Sequence, residues 1–362
     1  MSLSFEYTFP SIRGVQAGRE YYISMCPLKL IPKIFLFNEG ELAPEVRAQR
    51  VLNKGRIPAL AKYILDNPKD YVFSALTASV DTIFKFQPVG DVAEENRLGT
   101  LHIPMEAQFI INDGQHRRAA IETALKENPS LGDESIAVVL FLDYGLKRCQ
   151  QMFADLNRYA VRPSSSLSVL YDHRDDVATA TKLVVFKSPL FNELIERELT
   201  TLSLRSKKLF TLSAIFMATK QLLKGQKFED IDQLESVIEK FWVKLASQIP
   251  EWNKVKERSM TAGQLREQFI HSHGVTLQAL GRAGGALLDV DDSEFSAFDK
   301  LSSIDWSREN GKLWEGRAML GGRVSKSAQN VVLTSNAIKK HIGVVLTEDE
   351  KSLEREVRRA RR

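Results

Sequence analysis

Apolar and polar positions in the first half of the chain form short β-type runs interrupted by helical ones. Residues 21–26 and 34–37 read as strands, and residues 57–67 as a helix closed by Asn67-Pro68. Residues 71–76, 81–86, 98–103 and 108–111 are rich in β-branched and aromatic side chains and read as strands. A helix is predicted over residues 115–127, and the apolar run 136–142 has strand length. The order predicts an α/β (α+β) first domain.

From about Leu146 the strand signal fades. Met152, Phe153 and Leu156 have helical spacing within residues 146–157. Further on, Asp232 is placed to cap a helix in which Leu234, Val237, Ile238, Phe241, Trp242, Leu245 and Ile249 recur at three- and four-residue steps until Pro250; such a stripe is core. Pro163-Ser164-Ser165-Ser166 and residues 281–285 read as loops, the first as a domain border. A chain of 362 residues exceeds one ordinary core, since domains hold roughly 100–200 residues. The expectation is a first domain over residues 1–165 and a mainly helical second domain over residues 166–362.

Composition narrows the class. With 43% apolar and 27% charged residues the chain has a soluble, globular profile. No window is long enough to span a bilayer, and the start, Met1-Ser2-Leu3-Ser4-Phe5-Glu6-Tyr7, lacks signal-peptide features, so a cytoplasmic protein without a membrane partner is expected. Cys26 and Cys149 have neither disulfide-scaffold nor zinc-ligand spacing. The net charge of +4, from 50 basic and 46 acidic residues, does not by itself imply nucleic acid.

The chemistry concentrates at Asp113-Gly114-Gln115-His116-Arg117-Arg118, where an apolar strand meets a glycine turn and an alanine-rich helix start. Free N–H groups of a first helical turn bind anions, and His116, Arg117 and Arg118 are within reach of a phosphate. The competing reading is a helix capped by Asp113 with solvated arginines. A second group, Asn157, Arg158 and Arg162, suits a charged ligand or a nucleotide-borne cation, and equally suits a helix carboxyl cap. His271 and His273 are a poor metal pair, and no metal ligand set is read. Cys26, near Lys29 and Lys33, is either a redox-sensing thiol beside DNA or a buried cysteine at a strand end. Residues 171–176 offer acid and base groups without a nucleophile and read as a surface turn.

Residues 113–117 spell the DGQHR signature. Together with residues 56–65, 153–166, 168–172 and 314–317 they resemble the DndB family, regulators encoded with DNA phosphorothioation systems, along the whole chain. More remotely, the first domain is similar to the ParB and sulfiredoxin superfamily, with Gly114 and Arg117 fitting its first phosphate box and Asn157 its second. Gln115 and His116 depart from the ParB pattern, so cytidine-triphosphate specificity and a DNA clamp are not carried over. Gln115 also stands where sulfiredoxin has its catalytic cysteine, and a glutamine cannot form thiol intermediates, which excludes sulfinic-acid reduction.

The resemblance implies a sequence-selective repressor that binds double-stranded promoter DNA of the modification genes, and a homo-oligomer is expected. The ligand expected at the Gly114 turn, from its residues and the remoter superfamily likeness, is a nucleoside triphosphate, ATP first, with Mg2+. The candidate DNA contacts are Arg205, Lys207 and Lys208 in one cluster, Lys339 and Lys340 in a second, and Arg358 and Arg359 in a tail whose arginines alternate with Glu354 and Glu356. No helix-turn-helix is recognisable. The alternative is an NTP-hydrolysing enzyme acting on DNA in defence, with Asp113, Gln115 and Asn157 as tentative catalytic groups, although no Walker sequence is present. A structural subunit with a degenerate pocket is a third reading.

Overall fold

Alternating burial makes Glu6–Gln16 (β1) and Arg19–Pro27 (β2) a half-buried hairpin, closed by Ala17 and Gly18, both at positive φ as a two-residue turn requires. This computed structural model describes residues 5–35, 53–90, 95–142, 151–152, 155–156 and 163–360. The remaining strands of the first unit are Leu76–Val80 (β3), Lys85–Pro88 (β4), Leu98–Pro104 (β5), Phe109–Asp113 (β6) and Ser135–Leu142 (β7). They form one mixed sheet ordered β4-β5-β1-β2-β7-β3-β6, antiparallel throughout except for β3 against β7. Helices Ile31–Ile34 (α1), Ile57–Asp66 (α2) and Gln115–Glu127 (α3) complete it, with α3 packed on α1 and α2. Leu76, Ala78, Leu101, Ile103, Ile64 and Ala120 are fully buried in its core.

Several local expectations change. Residue 34 ends a short helix that begins at Ile31 with Pro32 in its first turn, instead of opening a strand, and residues 36 and 37 lie outside the described residues. Residues 71–75 join no ladder, and the carbonyls of Ser74 and Ala75 accept hydrogen bonds from Arg117 instead. Residues 81–84 form a turn in which the Asp81 carboxylate accepts from the Gln108 N–H at 2.8 Å, so the strand begins only at Lys85.

The chain divides into two compact units, Met1–Val161 and Arg162–Arg362. The second contains Ser165–Tyr171 (α4), Asp176–Lys187 (α5), Leu212–Leu222 (α6), Ile231–Gln248 (α7), Glu251–Lys256 (α8), Ala262–Gln268 (α9), Gly274–Leu288 (α10), Ala328–Ile342 (α11) and Glu348–Ala360 (α12), with shorter turns and strand pairs between them. Trp242, Trp252, Trp314, Phe191, Phe210 and Phe241 fill its core. Two of the indoles are satisfied there, Trp242 Nε1 by Thr219 Oγ1 at 3.2 Å and Trp314 Nε1 by the Asp305 carbonyl at 2.9 Å.

Residues 281–285, read as a loop, lie inside α10. The glycines let α6 and α10 meet almost backbone to backbone: a Cβ on Gly281 would stand 2.1 Å from the Ala218 carbonyl oxygen. The cap of α7 is Asp230, whose carboxylate accepts from the Gln233 N–H at 2.8 Å, and Asp232 falls in the first turn. Ser164, from the stretch read as a loop, caps α4. The chain is thus mixed α/β, and among the described residues no helix is long and apolar enough to cross a membrane.

Candidate anion site at the amino terminus of α3

β6 delivers Asp113 to the sheet edge beside a register shift at Thr77/Ala78, and Gly114 turns the chain into α3 with φ of 105°. An L side chain is strained at that angle, and a Cβ would approach Leu76 Cδ2 to 2.4 Å. The helix that follows has no side-chain cap and no acidic residue in its first turn. Its first internal hydrogen bond runs from the Arg118 N–H to the Gly114 carbonyl, which leaves the amides of Gln115, His116 and Arg117 as the open donors of the helix end. Asp113 is not the cap: its carboxylate pairs with Arg117.

The side chains expected to grip a phosphate are mostly committed elsewhere. Arg117 donates to the Ser74 and Ala75 carbonyls at 2.6 and 2.7 Å and to Asp113. Arg118 donates to the Phe35 carbonyl at 2.7 Å, the Pro32 carbonyl at 3.2 Å and Glu122 at 2.6 Å, tying α1 to α3. His116 accepts from the Asn53 N–H through Nε2 at 3.1 Å; burial, and then the Arg56 charge, lower its pKa, so it stays neutral at neutral pH. Gln115 differs from all three. It is buried, and its Nε2 has no hydrogen-bond partner. A buried donor left unmade is costly, and a ligand oxygen would remove that cost.

These contacts make Arg117 a structural residue. Arg117→Ala is expected to lower unfolding free energy by about 1.5–3 kcal/mol, the range for hydrogen bonds to a charged group. Urea denaturation checks this, and an unchanged midpoint would return the guanidinium to the ligand. The sequence reading had missed Ser74, Ser79 and Asn112. Asn112 is fully buried and donates from Nδ2 to Ser79 Oγ at 2.7 Å and to Met152 Sδ at 3.2 Å. A polar residue ending the run Phe109-Ile110-Ile111 was the available signal.

Asn157, Arg158 and Arg162 lie outside the described residues. Lys339 and Lys340 are not free DNA contacts: Lys339 is buried against Glu350 at 2.9 Å, and Lys340 holds Glu354 at 2.7 Å. Glu350 and Glu354 thereby dock α12 on α11, so the tail through this part is a packed helix. Arg358 and Arg359 fall within α12. Arg205, Lys207 and Lys208 share one loop of the helical unit. Cys26 is buried in β2, and burial pushes its thiol up to about 12, against a redox-sensing thiolate. His271 is fully buried and accepts from Trp252 Nε1 at 3.0 Å; burial pushes its pKa down to about 3. His273 contacts the Arg266 carbonyl at 2.8 Å. Among the described residues no cluster of three or more His, Cys, Asp or Glu side chains is arranged for a metal.

Comparison with protein families gives a match over residues 9–345, which reaches from β1 to the segment before α12. No curated protein and no solved structure matches the chain.

Proposed function

Because the chain belongs to the DndB family, DNA-sulfur modification-associated, we propose that it is a DNA-binding repressor of the phosphorothioation genes whose Gly114 turn receives the phosphates of a nucleotide. ATP with Mg2+ is the first ligand to try. The observation that carries the reading is the open amino terminus of α3 together with the buried, unpartnered Nε2 of Gln115. Main-chain amides and one neutral amide then do the binding, a mode that needs no free guanidinium because the helix dipole already favours negative charge there.

Two variants test the site. Gln115→Leu removes the orphan donor without opening a cavity, so fold stability should hold or rise while ATP affinity falls. The expected fall is roughly 10- to 150-fold, one charge-assisted hydrogen bond. Gly114→Val should lose both binding and stability, given the φ of 105°. Calorimetric titration with ATP decides the matter: wild-type protein that binds none, or Gln115→Leu that binds as wild type, would refute the assignment. In the same protein, ATP should shift promoter affinity and promoter DNA should shift ATP affinity by one common factor, roughly 5- to 150-fold.

A further inference from the structure

A groove of about 940 Å3 in the helical unit runs between the loop of residues 203–208 and the end of α8. Arg205, Lys207, Lys208, Lys256 and Arg258 line it, and among the described residues lining it only Glu193 is acidic. The loop is held in place from below. Arg266 of α9 is buried, and its guanidinium donates to the Ser203 carbonyl at 2.6 Å and to the Lys208 carbonyl, gripping both ends of the loop. Within the loop the Ser206 N–H reaches the Ser203 carbonyl at 3.0 Å, and the Lys208 N–H reaches Ser206 Oγ at 3.1 Å. Gly263 completes the seat, since a Cβ there would stand 2.3 Å from the Leu204 carbonyl oxygen.

The opposite wall is equally defined. Past α8 the N–H groups of Ser259 and Met260 both return to the Lys254 carbonyl, at 3.0 and 3.2 Å. Arg258 sits between at φ of 63°, where helix ends ordinarily use glycine. That conformation costs free energy for a non-glycine residue, and the paired hydrogen bonds to the Lys254 carbonyl hold Arg258 in it. The charges on both walls are also idle. Arg205, Lys207, Lys256 and Arg258 make no ion pair among the described residues, whereas Lys187, Lys240 and Lys244 each hold a carboxylate.

We propose that this groove is a phosphate track for the backbone of duplex DNA, with Arg205 and Lys207 on one wall and Lys256 and Arg258 on the other. Cations split between two preorganised walls suit a ligand that brings several phosphates at once, and each phosphate neutralised releases condensed counterions. Arg266 and Gly263 act as positioning residues that hold the first wall in place. The proposal rests on the reading above that the protein binds DNA, and it names the surface.

The test is fluorescence anisotropy on the full-length protein, using a duplex from upstream of its own gene and a random duplex across a salt series. Arg205→Gln/Lys207→Gln and Lys256→Gln/Arg258→Gly are compared with wild type; the glycine also relieves the strained backbone, so that variant should melt no lower. Each pair should weaken binding to both duplexes on the order of 10-fold and flatten the salt slope by about 1.8, leaving the promoter-to-random ratio unchanged. If wild type binds DNA and both variants match it in affinity and slope, the groove assignment is overturned while the DNA-binding reading stands. If the variants keep DNA but lose poly-glutamate binding, the groove serves an acidic protein partner and the proposal is likewise overturned. Wild type that binds neither duplex defeats the reading and the proposal together.

Discussion

Replacing Glu354 by alanine is expected to lower the unfolding free energy by about 3–5 kcal/mol, the cost of breaking a buried ion pair from one side. The carboxylate accepts from Arg317 Nη1 at 2.5 Å and Nη2 at 2.9 Å, and from Lys340 at 2.7 Å. Among the described residues its removal leaves the largely buried Arg317 with only the Leu333 carbonyl, at 2.7 Å, for its charge. Replacing the pair together, Arg317→Met with Glu354→Leu, should recover most of the loss, because no buried charge is then left unpaired and the half-exposed Lys340, which also loses its carboxylate, turns to water. Urea denaturation of the single and double variants separates the two cases, and a single-variant loss below about 1 kcal/mol would contradict the expectation.

The same carboxylate sets an acid dependence. Burial pushes Glu354 up, but the hydrogen bonds and charges of Arg317 and Lys340 outweigh it and hold the group at about 2, below its ordinary 4.5. A depressed folded-state pKa contributes stability that is complete above the unfolded value. That stability fades as pH falls from about 4.5 toward about 2. Glu354→Gln should therefore flatten the stability curve in that window, and an identical acid limb in both proteins would show that other carboxylates set it.

Gly281→Val should cost about 3 kcal/mol or more, at or beyond the upper end of ordinary overpacking. The atom in the way is the Ala218 carbonyl oxygen, 2.1 Å from the new Cβ, and a backbone atom cannot swing aside as a side chain can. Helices α6 and α10 must move apart, and Leu222 O, 2.9 Å from a Cβ at Gly285, shows that the close approach continues for a further turn. Gly281→Ala gives the cleaner sign. Helix propensity alone would favour alanine by about 1 kcal/mol, so a rise in melting temperature would refute the close-contact account.

The turn at residues 113–118 was legible because a strand meeting a helix through one glycine permits few geometries. What the arginines do there was not legible. Their partners, the carbonyls of Pro32, Phe35, Ser74 and Ala75, are distant in sequence and are brought in by the sheet. The glycines of residues 281–285 misled for the same reason, since locally they resemble a loop and only the neighbouring helix explains them. Lys339 was read as a surface cation, yet it lies on the face of α11 that α12 covers. Asp230 and Asp232 are both competent caps, and a two-residue shift between them is beyond local propensity.

The position of β7 has a consequence for biosynthesis. It is the last strand of its sheet to leave the ribosome, yet it lies inside the sheet, between β2 and β3, and pairs Cys26 with Ile136. Until it emerges, the nascent chain holds two separate ribbons, β4-β5-β1-β2 and β3-β6, each with an open edge where β7 belongs. Such edges are templates for pairing with another chain. At about 5–20 residues per second, translation from the end of β2 to the end of β7 leaves the β2 edge uncovered for roughly 6–23 seconds and the β3 edge for about half as long, so a message truncated before Ser135 is expected to yield an aggregating product and not a smaller folded one.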